Sequence, residues 1–114
     1  MTYLLQIYSS TPMSEYEALS EEQKSAITGE YMKIGQTPGV LGGHQLQGPE
    51  TATTVRVQDG QTLTTDGPFA ETKEVVGGYF LYEADDLDAA IELAARIPAA
   101  RMGGAIEVRP VVER

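Results

Sequence analysis

Cysteine is absent from all 114 residues, which removes disulfides, thiolate zinc sites, iron–sulfur clusters and thiol nucleophiles together. Cations are scarce: eight Lys and Arg against 17 Asp and Glu leave a formal charge of -9. Those eight, Lys24, Lys33, Lys73, Arg56, Arg96, Arg101, Arg109 and Arg114, are scattered and form no basic stripe. Such a chain repels phosphate backbones, so no direct nucleic-acid contact is expected. Long apolar runs are missing as well. Nothing approaches the roughly 18 apolar residues of a membrane span, and residues 1–8 lack the basic opening of a secretory signal. A cytoplasmic protein with no membrane contact is expected. The glycine pairs Gly42-Gly43 and Gly77-Gly78 lack nucleotide-loop spacing and have no GK[ST] beside them, and no G-x-S-x-G occurs. Histidine appears once, at position 44, and with scattered carboxylates it makes no specific metal constellation. No metal or cofactor is expected.

What remains is an ordinary globular composition, 41% apolar, of a length suited to one domain over residues 1–114. Tyr3 to Tyr8 reads as a strand, broken by Thr11-Pro12-Met13-Ser14. Ser14 with Glu17 predicts a short capped turn, and Ser20 with Gln23 a capping box ahead of a longer helix. In that helix Ile27, Tyr31 and Ile34 share a face; it stops before Thr37-Pro38-Gly39. A second strand follows from Val40 to Leu46, its glycine pair marking a bulge or a close backbone approach. Thr53–Val57 and Thr62–Thr65 read as the arms of a hairpin around Asp59-Gly60. Val75 to Glu83 is a further strand. Asp85 or Asp86 caps a helix with an apolar stripe of Leu87, Ala90, Ile91, Ala94 and Ile97, which Pro98 ends. The last strand is Ala105 to Val111, with Ile106 and Val108 inward and Glu107 and Arg109 on the wetter side.

The order is a βαββαβ core with a hairpin inserted between its helices, an α+β fold. Two helices cover one face of a sheet and leave the other bare. Both the first strand and the one containing Tyr79 to Tyr82 are apolar on two sides, so a second cover is required. The residues expected under it are Leu4, Tyr8, Phe80 and Tyr82. A homodimer packed sheet against sheet supplies that cover and leaves a small-molecule pocket between the layers. The competing arrangement is a monomer whose insert and N-terminal loop fold over the face.

The segment Thr65-Asp66-Gly67-Pro68-Phe69-Ala70-Glu71-Thr72-Lys73 sets a carboxylate, a flexible residue, a rigid one and an aromatic ring between two strands. Asp66 either holds the turn by accepting backbone N–H bonds or reaches a cavity as a general base. Gly67, Pro68 and Phe69 are architecture that aims it. His44 is the sole side chain that exchanges protons near neutral pH by its ordinary value. His44 with Asp66 is therefore the expected catalytic pair, and Tyr8, Tyr79 and Tyr82 are candidate pocket-lining groups. Glu71, Glu74 and Lys73 read as solvated charges.

The Asp66-Gly67-Pro68-Phe69 motif, with Tyr3-Leu4-Leu5-Gln6-Ile7-Tyr8, Thr51-Ala52-Thr53-Thr54-Val55-Arg56-Val57, Gly77-Gly78-Tyr79-Phe80-Leu81 and Ile106-Glu107-Val108-Arg109-Pro110, resembles the YCII-related proteins of the DGPF type nearly end to end. The resemblance implies a ferredoxin-like α+β fold that dimerises into an α/β barrel. It also implies a small enzyme of isomerase or lyase type acting on a cyclic lactone or small oxoacid, or else a noncatalytic ligand-binding or regulatory protein associated with an extracytoplasmic-function sigma factor. Some relatives carry a helix histidine paired with an aspartate. No histidine lies between Ser20 and Thr37 here, so that half of the pair has no counterpart.

Overall fold

A computed structural model describes residues 1–11, 13–68 and 75–114, with Met13 described by its backbone alone. Phe69, Ala70, Glu71, Thr72, Lys73 and Glu74 lie outside the described residues, and with them part of the segment singled out above. The elements follow in the order β1 (Thr2–Ser9), α1 (Met13–Glu17), α2 (Glu21–Gly35), β2 (Val40–Gln45), a 3-10 turn (Pro49–Thr51), β3 (Thr53–Gln58), β4 (Gln61–Asp66), β5 (Val75–Glu83), α3 (Leu87–Ala95), α4 (Pro98–Arg101) and β6 (Ala105–Pro110). Four strands form one antiparallel sheet in the order β2-β5-β1-β6. Among the described residues β3 and β4 pair only with each other. This is a mixed α+β arrangement of antiparallel sheets, compatible with a ferredoxin-like core carrying an inserted hairpin.

Local chemistry accounts for the helix boundaries. Ser20 accepts from the Gln23 N–H while the Gln23 side chain accepts from the Ser20 N–H, completing the capping box. Asp86, of the two candidates, caps α3 by accepting from Ala89 N–H at 2.9 Å. Ser14 sits inside α1 instead of ahead of it, and its carbonyl accepts from Ala18 N–H. Pro98 does more than end α3: it opens α4, where its missing N–H would have no helical partner anyway. The α3 stripe is also shifted. Ala90, Leu93 and Ala94 are buried, with Ile97 just beyond, whereas Leu87 and Ile91 are half exposed.

The core is wholly apolar among the described residues. Tyr3, Leu5 and Ile7 of β1 pack with Ile34 of α2, Ala90 and Leu93 of α3, and Ile97 and Ala99. Val40, Phe80, Tyr82, Ile106 and Val108 close around them. Strand register explains this grouping, because Tyr82 stands opposite Tyr3, and Phe80 and Val108 opposite Leu5. Phe80 and Tyr82 thus share the helix-covered face. The side without helices belongs to Leu4, Tyr8, Tyr79 and Leu81, which corrects the set expected there. The mixed expectation arose because alternation separates neighbours within a strand but does not say which set of one strand meets which set of the next.

Around the β2 glycine pair both of the alternatives expected of it are found. The β2–β5 register slips between Val40 and Gly42, a bulge, and a Cβ on Gly43 would lie 2.4 Å from the Tyr79 carbonyl oxygen. In the hairpin turn Asp59 has φ 50 and Gly60 φ 76, the paired left-handed geometry of a type I′ turn.

Candidate functional site

Four strands carry the polar groups of the uncovered face into one line. His44 stands opposite Tyr79, Tyr79 opposite Gln6, and Gln6 opposite Glu107. Residues opposite one another share a face, so this row crosses the sheet from β2 to β6. The His44 and Tyr79 rings meet at 5.9 Å between centroids, tilted by 57°. The neighbouring row runs Gly42, Leu81, Leu4 and Arg109, and gives the polar line an apolar flank. Arg109 reaches back along its own strand to pair with Glu107. At the β1–β6 end, Tyr8, Ala105, Ile106 and Glu107 line an open depression of about 440 Å³. A second, smaller depression of about 220 Å³ lies on the helical side between Glu30, Lys33, Ile34, Thr37 and Arg96.

The expected site residues divide between three places. His44, Tyr79 and Tyr8 lie on the uncovered face. Tyr82 lies on the opposite side, packed against the core, with its ring 2.9 Å from where a Cβ on Gly39 would sit. Asp66 belongs to neither group. It is the last residue of β4, paired with Thr53, exposed, and without a side-chain hydrogen bond or ion pair to His44 among the described residues. The bend is held instead by its neighbour. Gly67, at φ 99, donates its N–H to the Ala52 carbonyl at 2.8 Å, and Thr54 Oγ1 donates to the Gly67 carbonyl at 2.7 Å. Pro68 follows, exposed, and Phe69 lies outside the described residues. One chain therefore does not bring the expected His44–Asp66 pair into hydrogen-bond contact.

Gln6 is the group that reading the sequence missed, and Glu107 and Arg109 were recognised only as wet. The signal was available in part, since Gln6 interrupts an otherwise apolar strand between Leu5 and Ile7. Its partners became visible only through register. Among the described residues no cluster of three or more His, Asp or Glu is placed to hold a metal ion. No helix among them is long and apolar enough to cross a membrane.

The described residues form an α+β arrangement with one sheet surface covered by helices and the other without a helical layer. The YCII-related domain model matches residues 1–114, and the chain belongs to that family. A relative from Rhizobium meliloti (strain 1021), described as an uncharacterized protein, is 31% identical over 117 residues, covering 97% of this chain and 92% of its own.

Proposed function

We propose that the protein binds a small molecule against the uncovered sheet face, beneath a second copy of itself, and moves a proton on it in the manner of an isomerase or lyase. The observation that carries this reading is the in-register row His44, Tyr79, Gln6 and Glu107 on the face that the helices leave bare. No polar or charged side chain is buried among the described residues of one chain. Tuned acid–base chemistry needs a partly dry site, and only a cover over this face makes one. Sheet-on-sheet association, giving a dimeric α/β barrel, is the cover that suits a four-stranded layer. His44 is then the proton exchanger, Tyr79 and Gln6 orient an oxygen of the ligand, and the Glu107–Arg109 pair closes the far end. A lactone or small oxoacid suits such a floor, having one carbonyl to polarise and one acidic carbon beside it.

The noncatalytic reading is favoured by one observation, the exposed Asp66 with no His44 beside it. In that case the same pocket holds a ligand without turning it over, and an association with a sigma factor, as the family resemblance implies, becomes its output. Proton transfer separates the two. Incubation in D2O with small oxoacids and lactones, followed by proton NMR, should show deuterium entering carbon beside the carbonyl. His44→Gln should abolish that exchange and leave the mass and melting temperature unchanged. Binding without exchange in the wild type supports the ligand-binding reading; neither binding nor exchange removes both.

A further inference from the structure

The β3–β4 hairpin is the part of the chain that the fold leaves unexplained. Every residue of β4 is exposed, and so is every residue of β3 except Thr54. An isolated two-stranded hairpin is marginal in water and normally needs a third strand or a packed layer. Its pairing puts Val55 opposite Thr64 and Val57 opposite Thr62, one β-branched face without a charge in its centre. Val55 and Val57 are 58% and 67% exposed, among the more open large apolar side chains in the molecule. The overall shape agrees. The radius of gyration is 16.1 Å, where a compact chain of this length has about 13 Å. The principal extents of 47 × 43 × 19 Å describe a thin plate.

We infer that the Val55–Val57 face of the hairpin is an arm that packs on a second copy of this chain and completes the enclosure of its uncovered sheet face. This rests on the proposed two-copy cavity and adds to it a part that sheet packing alone does not contain. Size is the first reason to assign the face to a second copy. The uncovered side of the four-stranded sheet offers about a dozen positions, while a standard stable interface takes roughly 20–30 residues a side. A sheet-to-sheet dimer without further contacts falls short, and one hairpin face from each copy brings it near that range. Charge is the second. Two copies that each carry -9 must meet through surface of little charge, and Val55, Val57, Thr62 and Thr64 provide it. A two-fold axis presents both arms at once, so the contact closes after two copies.

The absence of cysteine makes a clean test available. Val57→Cys carries the sole thiol of the chain and is labelled with a polarity-sensitive fluorophore, while sedimentation velocity follows mass over the same concentration series. The expected result is a blue shift of the emission that tracks the rise in mass, with a smaller shift for a label at Leu63→Cys on the opposite hairpin face. A labelled chain that stays single where the wild type doubles also supports the inference. An unchanged Val57 emission while the mass doubles overturns the arm and leaves the two-copy cavity standing. A wild-type mass that stays at one chain throughout overturns both. The double variant Val55→Glu, Val57→Glu should raise the dissociation constant at least tenfold with an unchanged far-ultraviolet spectrum. An unaltered constant counts against the arm; if that variant misfolds, the fluorescence decides.

Discussion

Gly43 and Gly29 show how differently one residue type is used within a single domain. At Gly43 an added methyl would meet the Tyr79 carbonyl oxygen at 2.4 Å and the Phe80 ring at 2.6 Å, so the strands would have to part. Gly43→Ala should destabilise by about 1–3 kcal/mol, the usual cost of overpacking, read as a lower urea midpoint. Gly29 sits within α2 with nothing within 4 Å of its missing methyl. Gly29→Ala should therefore stabilise by about 0.5–1 kcal/mol through helix propensity. Tyr31 gives a pH-dependent counterpart. Burial holds its hydroxyl above the usual tyrosine value of about 10, so the folded chain keeps a proton that the unfolded chain releases sooner. That contribution is complete below the unfolded value and is lost as pH rises through the folded one. Tyr31→Phe should flatten the alkaline decline in urea stability above about pH 10. A glycine within a helical pattern, as at position 29, is a weakness that local propensity alone reveals. The crowding at 43 was legible only as an alternative to a bulge, because the sequence does not say which strand passes in front.

Caps and turns were the most readable elements, since their chemistry is local. Ser20 with Gln23 and Asp59 with Gly60 each specify a geometry within four residues, and both are found as expected. The α3 cap offers a direct check. Asp86→Ala removes the acceptor for Ala89 N–H and should cost about 1 kcal/mol, measured by thermal or urea unfolding. Asp85→Ala, one residue earlier, should leave stability within about 0.5 kcal/mol. The stripe of the same helix was less legible. Leu87 and Ile91 fit the helical period as well as Leu93 does, and the angle at which α3 lies on the sheet decides which side is buried. The segment around Asp66 misled for a related reason: its turn chemistry is real, but the strand continues through Asp66 and the bend falls on Gly67.

The molecule as a whole is a two-layer plate with a separate two-stranded hairpin, and its long-range arrangement was partly legible. Element order gave the α+β core with its inserted hairpin, and two-sided strands gave the expectation of a second cover. Which aromatic groups share the helix-free face depended on register between residues 77 apart in sequence, such as Leu4 and Leu81, and local patterning does not carry it. Leu81 is central to the uncovered face and makes a decisive probe. On the proposed two-copy arrangement Leu81→Glu would place an unpaired carboxylate beneath the second copy, at a cost of several kcal/mol, so the dissociation constant should rise roughly 100-fold or more. Sedimentation equilibrium reads this directly, and circular dichroism should show the single chain still folded.

The flanks of the four-stranded layer restrict what such a plate can join. On one flank the Val40–Gly42 slip bends the ladder, and on the other Pro110 ends β6 without a donor beside the Glu107–Arg109 ion pair. Lateral strand-by-strand growth into ribbons or fibrils is thereby discouraged on both sides. An overexpressed chain should accumulate as small discrete particles and leave amyloid dyes dark.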